Sequence, residues 1–593
     1  MKKTLFILVL CTFSIIGVYS SIQQDRILEA VRNGVVKLLT ADRAPNYLTK
    51  AVKNISKIKD TLESDETICQ SCQVVVHQVL TYRRNGANKD SMKTYFNKLC
   101  KIFTGWGNTA CHGYIDIEID PVLYMMDNKN DLTPERVCAI YFQAQKCVDP
   151  DAKKWIIPLP PPPKKNEEIE EDDDDDQIGP LRILHLTDIH YDPLYKPGSN
   201  AVCKDPLCCQ SGVPSKPGNA AGYWGDYNVC DMPRHSVLNL LNHIKEKYIK
   251  DIDFIYYTGD IISHKSWASS KSENTKTIKE IYGLFASIFP NTTIYPILGN
   301  HEPHPTDFYS PEDVLQNQIS TQWIFNLSVT EWSRWLPEST QDTILKGGYY
   351  SVLIKPGFRI IAINSNFCFT SNLWLMYEDE DPRDQLAWLV EELYKAEKNK
   401  ERVHILSHIP PGEILCHKQW SNQFHKIINR FAHIISAQFN GHTHIDELKV
   451  FLDEDDESDT DKVINVAFNG ASFTTFVGFN PNFKIYEVDP SSAMVLDYDQ
   501  YIFNLTKANQ NTTPPQWYKQ YSFKNAYNLH DMSLPSFEDL LEKMSKDDDL
   551  MWQYYRFLVR DSDVKIKEGC NSKCLKKLLC YITAVETNES VNC

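Results

Sequence analysis

The chain has 593 residues, of which 42% are apolar and 24% charged, with a formal net charge of −16 at neutral pH. That length exceeds one compact core and calls for about three domains, which excludes a single small binding module. The acidic balance excludes a nucleic acid or an anionic membrane as a partner held by bulk charge.

Residues 1–20 begin with Lys2 and Lys3 and run apolar from Leu5 to Val18, the pattern of a secretory signal peptide. No later run of eighteen apolar residues is present to span a bilayer, so the mature chain is expected in the secretory route, secreted or lysosomal. Loss of Cys11 with that peptide leaves sixteen of the seventeen cysteines, an even number suited to disulfides in an oxidising compartment. Candidate glycosylation sequons at Asn54, Asn291, Asn326, Asn504, Asn511 and Asn588 fit the same route.

Residues 21–64 read as a helical or partly ordered lead-in without a motif. Residues 65–151 are helix-like, poor in glycine, and hold Cys69, Cys72, Cys100, Cys111, Cys138 and Cys147. Cys69 and Cys72 share a helix face, but six cysteines allow fifteen pairings and spacing alone does not choose among them. Residues 152–180 form a linker, with a polyproline stretch from Pro158 to Pro163 followed by an acidic run from Glu167 to Asp176. Such a pair reads as a stiff spacer and a self-repelling, solvated segment.

Residues 181–490 carry the chemistry. Five apolar runs, Ile183–Thr187, Phe254–Thr258, Ile294–Leu298, Val403–Ser407 and Ile434–Phe439, read as buried strands. Each leads into a polar motif: Asp188-Ile-His190, Gly259-Asp260, Gly299-Asn300-His301-Glu302, His408, and Gly441-His442-Thr443-His444. Ligands placed just after strands converge along the carboxyl edge of one sheet. Imidazole and carboxylate donors suit borderline divalent ions, and a carboxylate can bridge two of them. Any one motif alone is weak, since such residues commonly serve as caps or turns, whereas five in order define a two-ion site. Residues 491–593 include a helical stretch from Pro535 to Leu558.

The five motifs resemble those of the calcineurin-like metallophosphoesterases, which implies an α/β fold, a β-sandwich flanked by helices. Carried over, Asp188, His190, Asp260 and His444 would hold one ion and Asp260, Asn300, His408 and His442 the other, with Asp260 as the bridge. Zinc is the expected ion. The chemistry implied is phosphoester hydrolysis by a metal-activated hydroxide. His301 is the expected general acid for the leaving oxygen, with His264 either sharing that work or orienting a ligand.

The six upstream cysteines resemble a saposin B-type domain, a small helical module that presents lipid. With the linker and the catalytic motifs they make nearly the whole mature chain similar to the acid sphingomyelinase family, and Asn528-Leu-His-Asp-Met532 with the stretch after it resembles that family's helical C-terminal domain, here residues 491–593. That resemblance implies the pairs Cys69–Cys147, Cys72–Cys138, Cys100–Cys111, Cys203–Cys208, Cys209–Cys230, Cys368–Cys416, Cys570–Cys574 and Cys580–Cys593. It also implies cleavage of sphingomyelin to ceramide and phosphocholine, with the membrane lipid presented by the saposin-type domain. Two other expectations remain open: a secreted phosphodiesterase acting on nucleotides or other soluble phosphoesters, and a non-catalytic lipid-binding protein.

Overall fold

The computed structural model describes residues 21–41, 43–55, 62–163, 179–453, 462–470 and 472–593. The signal peptide and the acidic run expected from the sequence lie outside the described residues. Among the described residues, no helix is long and apolar enough to cross a membrane.

Two six-stranded sheets face each other. The first runs β12 (Tyr518–Ser522), β11 (Val495–Ile502), β10 (Asn482–Val488), β1 (Leu181–Leu186), β2 (Phe254–Tyr257) and β3 (Thr293–Pro296). The second runs β4 (Tyr350–Lys355), β5 (Phe358–Ala362), β6 (Arg402–Leu406), β7 (Ile435–Asn440), β9 (Val463–Asn469) and β8 (Leu448–Leu452). β1, β2 and β3 are parallel, as are β5, β6, β7 and β9. All five strands expected from the sequence form, but they divide between two sheets and do not share one. Apolar runs buried on both faces carry no alternation that would assign them to a sheet.

Aromatic and imidazole rings fill the space between the sheets. Tyr256 on β2 donates its hydroxyl hydrogen to His404 Nδ1 on β6 at 2.8 Å, and His404 Nε2 bonds the Ala493 carbonyl at 2.6 Å. Burial lowers the His404 pKa to about 4, so the ring is neutral there. Helices Gln385–Lys398 and Lys418–Phe431 close the outer face of the second sheet through Leu386, Leu389, Ile427 and Phe431.

The N-terminal region is helical and held by three disulfides, Cys69–Cys147, Cys72–Cys138 and Cys100–Cys111. The lead-in is ordered as helices Ser21–Lys37 and Asn46–Ile55, whose Val31, Val35, Leu48 and Val52 share a core with Val75, Val79, Tyr95 and Leu99. That core continues into Trp267, Trp374 and Phe476 of the catalytic domain. Polar contacts pin the same interface: Arg136 Nη2 to Asp379 Oδ1 at 2.6 Å, and Gln143 Nε2 to the Cys416 carbonyl at 2.6 Å.

The polyproline stretch lies against the second sheet's outer helix and does not stand free as a spacer. Its carbonyls lack partners within the segment, and Arg430 supplies them, donating to Pro160 O at 2.8 Å and Pro161 O at 2.7 Å. Trp155 and Ile157 bury beside Phe424 and Ile427.

The expected helical domain after residue 490 is corrected in one respect: β11 and β12 extend the first sheet before the helices begin. Helices Leu534–Lys546, Asp548–Leu558 and Ser572–Thr583 then pack against β9 and β8 at the edge of the second sheet, where Val463 N donates to Glu538 and Leu448 N to the Tyr554 hydroxyl. The remaining disulfides are Cys203–Cys208, Cys209–Cys230, Cys368–Cys416, Cys570–Cys574 and Cys580–Cys593, so all eight pairs are those the resemblance implied. Asn291, Asn326, Asn511 and Asn588 are exposed, whereas Asn504 is half-buried and caps a helix through Lys507 N at 2.8 Å.

Candidate metal centre

Each motif turns sharply at the end of its strand. Asp188, His190, Asp260, His442 and His444 all have positive φ, between 41° and 73°. Non-glycine residues rarely occupy that region, at a cost of order 1–3 kcal/mol each, and such positions cluster where function demands them. Glycines make the close approach: a Cβ on Gly299 would lie 2.2 Å from Asp260 Oδ1, and one on Gly441 2.2 Å from Thr187 Oγ1.

The turns bring all seven candidate ligands together from both sheets. Asp188, His190, Asp260 and His444 form one cluster, and Asp260 also meets His408 and His442 in a second. In the first, His190 Nε2 is 3.0 Å from His444 Nε2 and 3.4 Å from Asp260 Oδ2, and His444 Nε2 is 3.4 Å from Asp188 Oδ1. In the second, His408 Nε2 is 3.2 Å from Asp260 Oδ2 and 3.0 Å from Asn300 Oδ1, which also lies 2.9 Å from His442 Nδ1. Donors about 2.0–2.2 Å from a zinc-class ion are roughly 2.8–3.6 Å from one another, so these spacings match the edges of two coordination shells that share Asp260.

Hydrogen bonds outside the clusters fix which atoms point inward. His190 Nδ1 faces the Ile262 carbonyl at 2.8 Å and His408 Nδ1 the Thr258 carbonyl at 2.7 Å, leaving each Nε2 as the inward nitrogen. Asn300 Nδ2 donates to Asp307 Oδ1 at 2.6 Å, which turns the Asn300 carbonyl oxygen inward. His408 Nε2, Asn300 Oδ1 and Asp260 Oδ2 crowd one point, where positive charge makes the arrangement favourable. The protein's own charges show the same demand: burial raises the Asp260 carboxyl, yet His408 and His301 outweigh it and hold the pKa well below the usual range.

Glu302 ties the turns together without joining either cluster. Its carboxylate accepts from Ile261 N at 2.5 Å, Gly299 N at 2.7 Å and Asp260 N at 3.2 Å. Burial, reinforced by the Asp260 charge, raises its pKa to about 7.

His264 and His301 stand beside the first cluster, grouped with His190. Their rings lie 4.7 Å apart, and His264 lies 4.0 Å from His190. Asp231, absent from the sequence reading, holds His264 twice: Oδ1 lies 2.6 Å from Nδ1 and Oδ2 2.5 Å from the backbone nitrogen. Phe476 stacks on the other face of His264 at 3.7 Å. Asp307 was missed as well. Neither carboxylate belongs to a motif, and the only sequence signal for Asp231 is its place directly after Cys230.

Comparison with known proteins agrees with this geometry. Residues 181–446 match the model of the calcineurin-like phosphoesterases, and residues 462–593 that of the acid sphingomyelin phosphodiesterase C-terminal region. The chain is 34% identical to the sphingomyelin phosphodiesterase of Bos taurus over 88% of its own length and 83% of that protein. It is 33% identical to the Homo sapiens sphingomyelin phosphodiesterase over 91% of this chain and 84% of that one. Identity with sphingomyelin phosphodiesterase 1 of Caenorhabditis elegans is 32%, over 89% and 93%. This chain is therefore a metal-dependent phosphoesterase of the sphingomyelin phosphodiesterase family.

Proposed function

We propose that the protein hydrolyses sphingomyelin to ceramide and phosphocholine at the centre built around Asp260. The observation that carries the reading is the pair of ligand clusters sharing Asp260, in a chain about one-third identical to named sphingomyelin phosphodiesterases over most of its length.

Asp188, His190, Asp260 and His444 would hold one divalent ion and Asp260, Asn300, His408 and His442 the second; the imidazole-rich set favours zinc. Bound there, the ions supply Lewis-acid stabilisation of the charge that builds on the phosphoryl oxygens. His264 and His301 serve the leaving ceramide oxygen. Asp231 engages His264 at Nδ1 and leaves Nε2 outward, the arrangement in which a carboxylate fixes an imidazole as proton donor. The His301 backbone nitrogen donates to Asp260 Oδ1 at 2.8 Å, which sets that ring beside the same carboxylate. The N-terminal disulfide-linked helices present membrane lipid to the centre, and the protein works in the secretory route, outside the cell or in the lysosome.

The test is steady-state hydrolysis of sphingomyelin in detergent micelles, with products identified by mass spectrometry. The reading expects ceramide and phosphocholine in equal amounts. Choline with ceramide phosphate, or turnover of soluble diesters alone, contradicts it.

A further inference from the structure

The C-terminal helices send a buried cation toward the metal centre. Arg560 follows helix Asp548–Leu558, is 1% exposed and has a φ of 56°. Glycine ends helices in that left-handed conformation without steric cost, so what an arginine adds there is its side chain. The guanidinium lies over the Phe479 ring at 4.9 Å. Its Nη1 donates to the Ser472 carbonyl at 2.5 Å and to Asn482 Oδ1 at 3.0 Å, both of them neutral acceptors.

Ser472 leads directly to a candidate ligand. It pairs in parallel with Thr187, Phe473 N donates to Thr187 O at 3.1 Å, and Thr474 N donates to Asp188 O at 3.0 Å. These bonds hold the chain where it turns out of β1, with a φ of 50° at Asp188. Thr187 Oγ1 in turn donates to Asp188 Oδ2 at 2.7 Å, so a shift of residues 472–474 moves the Asp188 carboxylate.

Charge points the same way. Burial lowers the Arg560 pKa to about 9, and the negative charges of Asp446 and Asp188 oppose that fall. Asp446 is ion-paired with the buried Lys484, so Asp188 is the remaining carboxylate acting on the guanidinium.

We propose that Arg560 is a positioning residue for the ion site containing Asp188, which it sets through the Ser472 carbonyl. This role rests on the two-ion reading of the clusters and is independent of which phosphoester is cleaved. Full-length protein is stripped of metal and titrated with zinc against a chromogenic chelator. The thermal midpoint of the metal-free form and hydrolysis of a soluble chromogenic diester are measured alongside. Arg560→Met, similar in bulk but without charge or donor, is expected to bind one of the two ions about tenfold or more weakly and to lose kcat with KM unchanged. Arg560→Lys restores both, because a single nitrogen makes both hydrogen bonds and no bidentate fork is needed. Should the methionine variant misfold, Arg560→Gln, which keeps a donor but no charge, weakens the same ion several-fold. A merely structural role lowers the metal-free midpoint and leaves zinc affinity native; that result overturns the proposal, as does native affinity in both neutral variants. Native protein that takes up no zinc overturns the two-ion reading and this role with it.

Discussion

A carboxylate only 1% exposed and set among histidines has no solvent to neutralise it, so the Asp260 charge must be met by what its neighbours hold. Asp260→Ala removes the one side chain common to both clusters. It is expected to release both ions and to lower kcat/KM by about three orders of magnitude, the several kcal/mol that such ions supply; metal analysis beside kinetics checks this. His301→Ala is expected to keep its metal and lose about 10²–10⁴-fold in kcat, and equal loss of metal and turnover contradicts its role as an acid. Asp231→Asn is expected to lower kcat about 10–100-fold, again with metal retained. The seven candidate ligands could be picked out of the sequence because each motif follows a strand. Asp231 and Asp307 were not legible, because they act through folded proximity: Asp231 reaches His264 from 33 residues away.

At the scale of elements, the strand ends are positioned by backbone as much as by side chains. Gly299→Ala forces a Cβ to within 2.2 Å of Asp260 Oδ1 and 2.5 Å of its backbone nitrogen, so metal affinity is expected to fall about tenfold or more together with the thermal midpoint; unchanged affinity sinks the steric account. His404 joins the two sheets as a neutral ring. Its folded pKa of about 4 lies below the ordinary value of 6.5, so its contribution to stability is complete above pH 6.5. It is lost as pH falls toward 4, by about 1.4 kcal/mol per pH unit. His404→Gln is therefore expected to flatten the dependence of the urea midpoint on pH between 6.5 and 4.5. The five motif-bearing strands could be read because apolar runs ending in ligands are distinctive. β11 and β12 could not, since Val495–Ile502 mixes aromatic, acidic and apolar residues on a strand buried by C-terminal helices that the sequence does not pair with it.

For the whole molecule, the N-terminal helices and the catalytic domain share a core through Trp267, Trp374 and Phe476, and Phe476 also covers His264. The helices thus bear on the centre as well as on the lipid presentation proposed for them. Deleting residues 66–150 is expected to impair hydrolysis of bilayer sphingomyelin more than that of a soluble chromogenic diester, and equal impairment reduces the region to structural support. Sequence spacing conveyed the helical, disulfide-linked character of this region but not its docking, which depends on contacts such as Arg136 with Asp379 that no local pattern encodes. The most direct measurement is phosphocholine release from sphingomyelin vesicles at about pH 5, below the ordinary histidine pKa, by the purified protein and by Asp260→Ala in parallel. Release by the native protein that disappears with Asp260 and its metal is the predicted result; a fully metal-loaded native protein that releases none contradicts the account.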